Sequence, residues 1–163
     1  MPDISEQQAQ RLISYATARL GRVEGNGECW TLVNNGFQHL GFHKPAAIYA
    51  WGRVIDQLGS ARPGDVFQFS RFTYRVEHSD GSWFEGSRGA PRHTAILESI
   101  DANGHATFLE CNVNDALNPQ DDAHNVQRNR FHVRTADINE DGGTRTTVRT
   151  SGSFIIYRPQ AAE

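Results

Sequence analysis

Two segments of the chain carry residue types that could do covalent chemistry together. Cys29 sits in Gly27-Glu28-Cys29-Trp30, where a glycine-rich loop turns into an amphipathic stretch. A thiol at the first turn of a helix faces the positive end of the helix dipole and amides with no intrahelical acceptor, and both favour thiolate over thiol. His93 sits in Pro91-Arg92-His93-Thr94, at the mouth of an apolar run that reads as a strand. A thiol and an imidazole in these settings suggest a nucleophile and its general base.

An imidazole used as a base needs a partner that fixes its tautomer and orientation. The segment His105 to Val113 supplies candidates. At the two-residue period of a strand, Phe108, Glu110 and Asn112 share one face, while Leu109, Cys111 and Val113 share the other. The turn Asp101-Ala102-Asn103-Gly104 folds this strand back on the one that begins at His93. Glu110 and Asn112 therefore return toward the histidine. Glu110 is the expected orienter, with Asn112 as alternative orienter or substrate contact, and Cys111 falls on the opposite face as a core residue. Trp30, beside the thiol, and Trp51, in Tyr49-Ala50-Trp51-Gly52, are candidates to line a substrate cleft, a core role being the alternative for Trp51.

The elements that must position these residues can be read from the pattern. Ser5-Glu6-Gln7-Gln8 is a capping box, followed by Ala9, Leu12, Ile13, Ala16 and Leu20 at helical spacing. A second helix is expected from about Glu28 to Leu40, stopped by Gly41, with Cys29, Leu32, Val33, Gly36 and Phe37 on its inner face. Arg62-Pro63-Gly64-Asp65 is a turn before a short strand at 66–69. Further strands are expected at 72–76, 93–100, 105–113, 127–134 and 153–158, with 86–91 and 114–125 as polar loops. Asp137-x-Asn139-x-Asp141-Gly142 has the opening spacing of a calcium loop, but Val148 stands where the bidentate glutamate belongs, so a polar hairpin turn is the better reading. Helices followed by antiparallel strands define an α+β plan, here with N-terminal helices packed on an antiparallel sheet in one catalytic domain spanning 1–163.

Composition bounds the function. The chain has 163 residues, is 37% hydrophobic and carries a net charge of −3, which argues against nucleic acid or an anionic membrane surface as main partner. No apolar run reaches the ~18 residues of a membrane span. No basic segment leads into an apolar one near Met1, so no signal peptide is expected, and synthesis in the cytoplasm, with export by a specialised route or by phage lysis, is the expectation. No C-x-x-C pair is present, and neither a metal nor any other cofactor is expected.

The order of the motifs resembles that of CHAP domains, the cysteine, histidine-dependent amidohydrolases and peptidases that share a papain-like core with NlpC-type enzymes. The matching segments are Gly27-Glu28-Cys29-Trp30, Arg62-Pro63-Gly64-Asp65-Val66-Phe67-Gln68-Phe69, Pro91-Arg92-His93-Thr94-Ala95-Ile96-Leu97 and Leu109-Glu110-Cys111-Asn112-Val113-Asn114. The resemblance implies a papain-like fold, a Cys29-His93-Glu110 or Asn112 triad, a thioester intermediate, and hydrolysis of an amide bond in peptidoglycan. Peptidoglycan or a peptide is then the substrate, and an immunity or inhibitor protein is a candidate partner. Two other readings stand beside it: a papain-like deamidase, protease or acyltransferase acting on a protein, and a non-catalytic cell-wall-binding module.

Overall fold

A computed structural model describes residues 1–162. Helix α1 (Glu6–Thr17) begins at the expected capping box: the Gln8 amide donates to the Ser5 hydroxyl at 3.1 Å, and the Ser5 amide donates to Gln8 Oε1 at 2.8 Å. Helix α2 (Cys29–Leu40) begins at Cys29 and closes on Gly41 in the left-handed conformation. The strands follow as β1 (Phe42–His43), β2 (Arg53–Ile55), β3 (Val66–His78), β4 (Trp83–Ile100), β5 (His105–Glu110), β6 (Gln127–His132), β7 (Ala136–Asn139), β8 (Arg145–Arg158) and β9 (Gln160–Ala161).

Strands β2, β8, β3, β4, β5 and β6 lie in that order in one antiparallel sheet, and β7 pairs with the first part of β8. Strands β1 and β9 form a separate pair. The α+β plan with helices on an antiparallel sheet is therefore the architecture. The polar segment at 140–144 is the turn between β7 and β8, closed by the Glu140 amide on the Thr144 carbonyl at 2.8 Å. Among the described residues no helix is long and apolar enough to cross a membrane.

The two faces of the sheet bury different clusters, as strand alternation requires. On one face Val66, Ile96, Leu109 and Cys111 pack with Leu12, Ile13, Leu32, Val33, Phe37 and Trp51. On the other, Phe67, Phe69, Phe72, Ala95, Leu97, Phe108 and Phe131 form an aromatic-rich core. Pro63-Gly64-Asp65 is structural. A Cβ on Gly64 would sit 2.6 Å from Ala9 Cβ, so the glycine sets how closely α1 approaches. Asp65 takes two hydrogen bonds from Arg158, at 3.0 and 2.9 Å, tying the start of β3 to the end of β8.

Two strand expectations need correction. Segments 66–69 and 72–76 are one strand, bent at Arg71 (φ 48°), and segment 86–91 belongs to β4 rather than to a loop. At the bend Phe69 pairs with His93 and Phe72 with Arg88, so three residues along β3 face five along β4. Both intervals are odd, and each strand changes the face its side chains take. Gly152 of β8 makes the bend fit. It has φ 80°, and a Cβ there would lie 2.1 Å from the Arg71 carbonyl oxygen.

Candidate active site

Strand β4 extends past the end of β5. Their pairing begins at Ile96 opposite Leu109, so His93, Thr94 and Ala95 have no backbone ladder partner on β5. The end of the sheet is open there, and α2 points its first residue at the opening. Cys29 reaches His93 through this gap, although the helix packs on one face of the sheet and the His93 side chain belongs to the other.

The imidazole lies between two groups. Its Nε2 is 2.8 Å from Glu110 Oε1, and the Cys29 thiol is the ring's other polar partner. His93 is 3% exposed and Glu110 is fully buried, whereas Cys29 is half-buried. Burial alone would lift the thiol pKa. The hydrogen bond to His93, the imidazolium charge, and the amides of Thr94 and Trp30 outweigh it and bring Cys29 below the ordinary thiol range. Burial likewise opposes a charged His93, but contacts with Cys29 and Glu110 raise its pKa to about 9. Glu110 resists burial because Arg88 and His93 hold it ionised, with a pKa lowered to about 2. Thiolate, imidazolium and carboxylate are thus mutually stabilised. By contrast Cys111, on the other face of β5, is buried, and burial pushes its thiol well above the ordinary range.

The backbone of His93 is also held. Gln68, buried on β3, donates from Nε2 to the His93 carbonyl at 3.2 Å. Its Oε1 accepts from Trp51 Nε1 at 3.0 Å and from the Thr94 hydroxyl at 2.7 Å. Trp51 is fully buried, so it is a core residue that supports the histidine strand and not a substrate contact. Trp30 is half-buried at the rim, its Nε1 on the Ile48 carbonyl at 2.8 Å and its ring against Trp51. Asn112 is exposed, has φ 59°, and donates to Glu28 Oε2 at 2.8 Å. The carboxylate of Glu110 is therefore the group that meets the ring, and Asn112 stands at the rim beside α2.

Three partners of Glu110 and its surroundings escape a reading of the sequence. Arg88, 2% exposed, donates to Glu110 Oε1 from Nε at 2.9 Å and to Oε2 from Nη2 at 2.8 Å. Asp115, from the segment after β5, takes a second Nη2 hydrogen bond at 2.8 Å. Asn129 of β6 donates to Glu110 Oε2 at 2.9 Å. The available signal for Arg88 was its phase: counted from Phe84 through Gly86, it falls on the inward face of β4. Among the described residues no group of three His, Cys, Asp or Glu side chains is arranged to hold a metal ion.

A thiol at a helix start, a histidine just past the bend inside a strand and a carboxylate on the next strand, with helices against an antiparallel sheet, define a papain-like cysteine proteinase fold. The family model of the AIM3/BBC1 cysteine proteinase-fold domain matches residues 1–162, and the chain belongs to that family. What the CHAP resemblance and this family have in common is the fold. No curated protein and no solved structure matches the chain.

Proposed function

We propose that the protein is a cysteine hydrolase that cleaves an amide bond with Cys29 as nucleophile, His93 as acid and base, and Glu110 as orienter. The observation that carries this reading is a single imidazole held between a half-buried thiol and a fully buried carboxylate. In the first half-reaction Cys29 Sγ attacks the carbonyl carbon, and the C–N bond breaks as His93 gives its proton to the departing amine. The acyl group is left as a thioester on Cys29. In the second, His93 takes a proton from water, the hydroxide adds to the thioester carbonyl, and the thiolate leaves. The Cys29 amide, at the first helical position where no intrahelical acceptor exists, supports the oxyanion in both.

The family match makes ordinary peptide bonds the first substrates to assay, and the resemblance to CHAP domains sets peptidoglycan amides beside them. The test is digestion of denatured protein, purified cell walls and muropeptides by wild type, Cys29→Ala and His93→Ala, with new termini read by mass spectrometry. Wild type releases an amine and a carboxylate from one of these, and both variants fall at least 1,000-fold, roughly what loss of a nucleophile or its base costs. Equal digestion by wild type and both variants would sink the mechanism.

A further inference from the structure

We propose that Arg88 is a positioning residue of the site, a fourth member that clamps Glu110 as a fixed carboxylate against His93. This rests on the reading of Cys29, His93 and Glu110 as a hydrolytic set, and it adds a residue whose side chain touches neither the thiol nor the imidazole by any hydrogen bond.

The geometry is that of a planar fork gripping a carboxylate. Nε and Nη2 of Arg88 hold the two oxygens of Glu110 at 2.9 and 2.8 Å. The second Nη2 hydrogen goes to Asp115 Oδ2 at 2.8 Å, and Nη1 donates to the Ser87 carbonyl at 3.0 Å. The Tyr74 hydroxyl is a further partner, and the guanidinium carbon lies 4.3 Å over the Phe131 ring. From the side of Glu110, Oε1 accepts from Arg88 and His93, and Oε2 from Arg88 Nη2, from Arg88 Nε at 3.2 Å and from Asn129. Those bonds fill the acceptor capacity of a carboxylate. The oxygen that meets the imidazole is thus located by Arg88.

Charge follows the same logic. The groups that face one another here are Cys29 from α2, Tyr74 from β3, Arg88 and His93 from β4, Glu110 and Cys111 on and just after β5, and Asp115 beyond it. Arg88 and imidazolium His93 balance Glu110 and Asp115. Without Arg88, the fully buried Glu110 loses three of its five hydrogen bonds and its strongest attractive charge, and it takes up a proton. His93 then loses its counter-charge, and the thiolate loses the imidazolium. The bend in β4 that separates Arg88 from His93 by five residues is what brings both to one face.

The test reads Cys29 alone. Carbamidomethylation by iodoacetamide is followed from pH 4 to 9 by peptide mapping in wild type, Arg88→Met and Arg88→Lys, with folding checked by near-ultraviolet circular dichroism. The acid limb of Cys29 reactivity rises by one pH unit or more in Arg88→Met. It rises by at least half a unit in Arg88→Lys, where one ammonium cannot hold both oxygens. A structural role would lower the melting temperature and leave the limb in place. An unmoved limb in folded Arg88→Met overturns the proposal, and if that variant does not fold, an unmoved limb in Arg88→Lys does so. The readout needs no substrate, so absence of hydrolysis in wild type would refute the proposed function and leave this result standing.

Discussion

Replacing Glu110 by Gln is the sharpest perturbation of the site, because it keeps the shape and removes the charge. The carboxylate accepts three hydrogen bonds from Arg88, one from His93 and one from Asn129. An amide offers one oxygen, so its NH2 group must face donors. Breaking a fully buried charge pair on one side costs about 3–5 kcal/mol. For a chain of this size that lowers the melting temperature by roughly 10 °C, leaving the variant folded at 25 °C. His93 changes more. Its pKa falls below about 9 once Glu110 is neutral, because burial then meets only the opposition of Cys29. Each unit of that fall is about 1.4 kcal/mol, and kcat/KM at pH 7 drops on the order of 10-fold or more. Measuring kcat/KM on the substrate found by digestion tests this, and a variant that stays within threefold of wild type refutes the reasoning.

Two further outcomes concern the rest of the sheet. Burial, and then the charge of His132, lower the His105 pKa to about 4; the two rings stack at 4.0 Å, and His132 is itself lowered by burial. Depressed histidines contribute stability that is present above their unfolded value near 6.5 and is lost as pH falls through the folded one, so the denaturant midpoint declines from pH 6.5 toward 4, and His105→Gln makes that decline shallower. Gly152→Ala forces a Cβ to within 2.1 Å of the Arg71 carbonyl at φ 80°, and it should cost upwards of about 2 kcal/mol in chemical denaturation. A neutral result there would mean that the bend in β3 does not depend on close approach of β8.

Much of the arrangement was legible because it follows simple periods. The capping box at Ser5, the stop at Gly41 and the apolar faces of α1 and α2 are local signals, and all three recur in the fold. The alternation on β5 separated Glu110 from Cys111 correctly. What failed to show was set by distant strands. Gly86, Gly89 and Pro91 read as breakers, yet the segment pairs with β3, and Gly86 leaves room for the Tyr74 hydroxyl, which a Cβ would meet at 2.3 Å. That error hid Arg88, since a charged residue in a supposed loop gives no reason to look for a buried partner. Trp51 reads in isolation as a cleft or a core residue alike, and it is core, fully buried with its indole hydrogen given to Gln68, seventeen positions on. Asn112 lies in the phase of Glu110, but β5 ends at Glu110 and the chain turns at φ 59°, which sends the amide to Glu28 instead.

The start of α2 also changes the account of thiol activation. A helix N-terminus by itself favours thiolate, with an effect of about 0.3–1 kcal/mol at an exposed site. Here the residue before Cys29 is Glu28, whose side chain makes no capping hydrogen bond to the helix and turns to Asn112. The helix thus contributes the Trp30 amide, while the largest favourable influences are the hydrogen bond and charge of His93, followed by the Thr94 amide. Thr94 can offer that amide because β5 stops short of it. A sheet that continued one pair further would take the amide into its ladder and close the gap through which sulfur and imidazole meet. The length of β5, more than the helix dipole, is therefore what lowers the Cys29 thiol pKa.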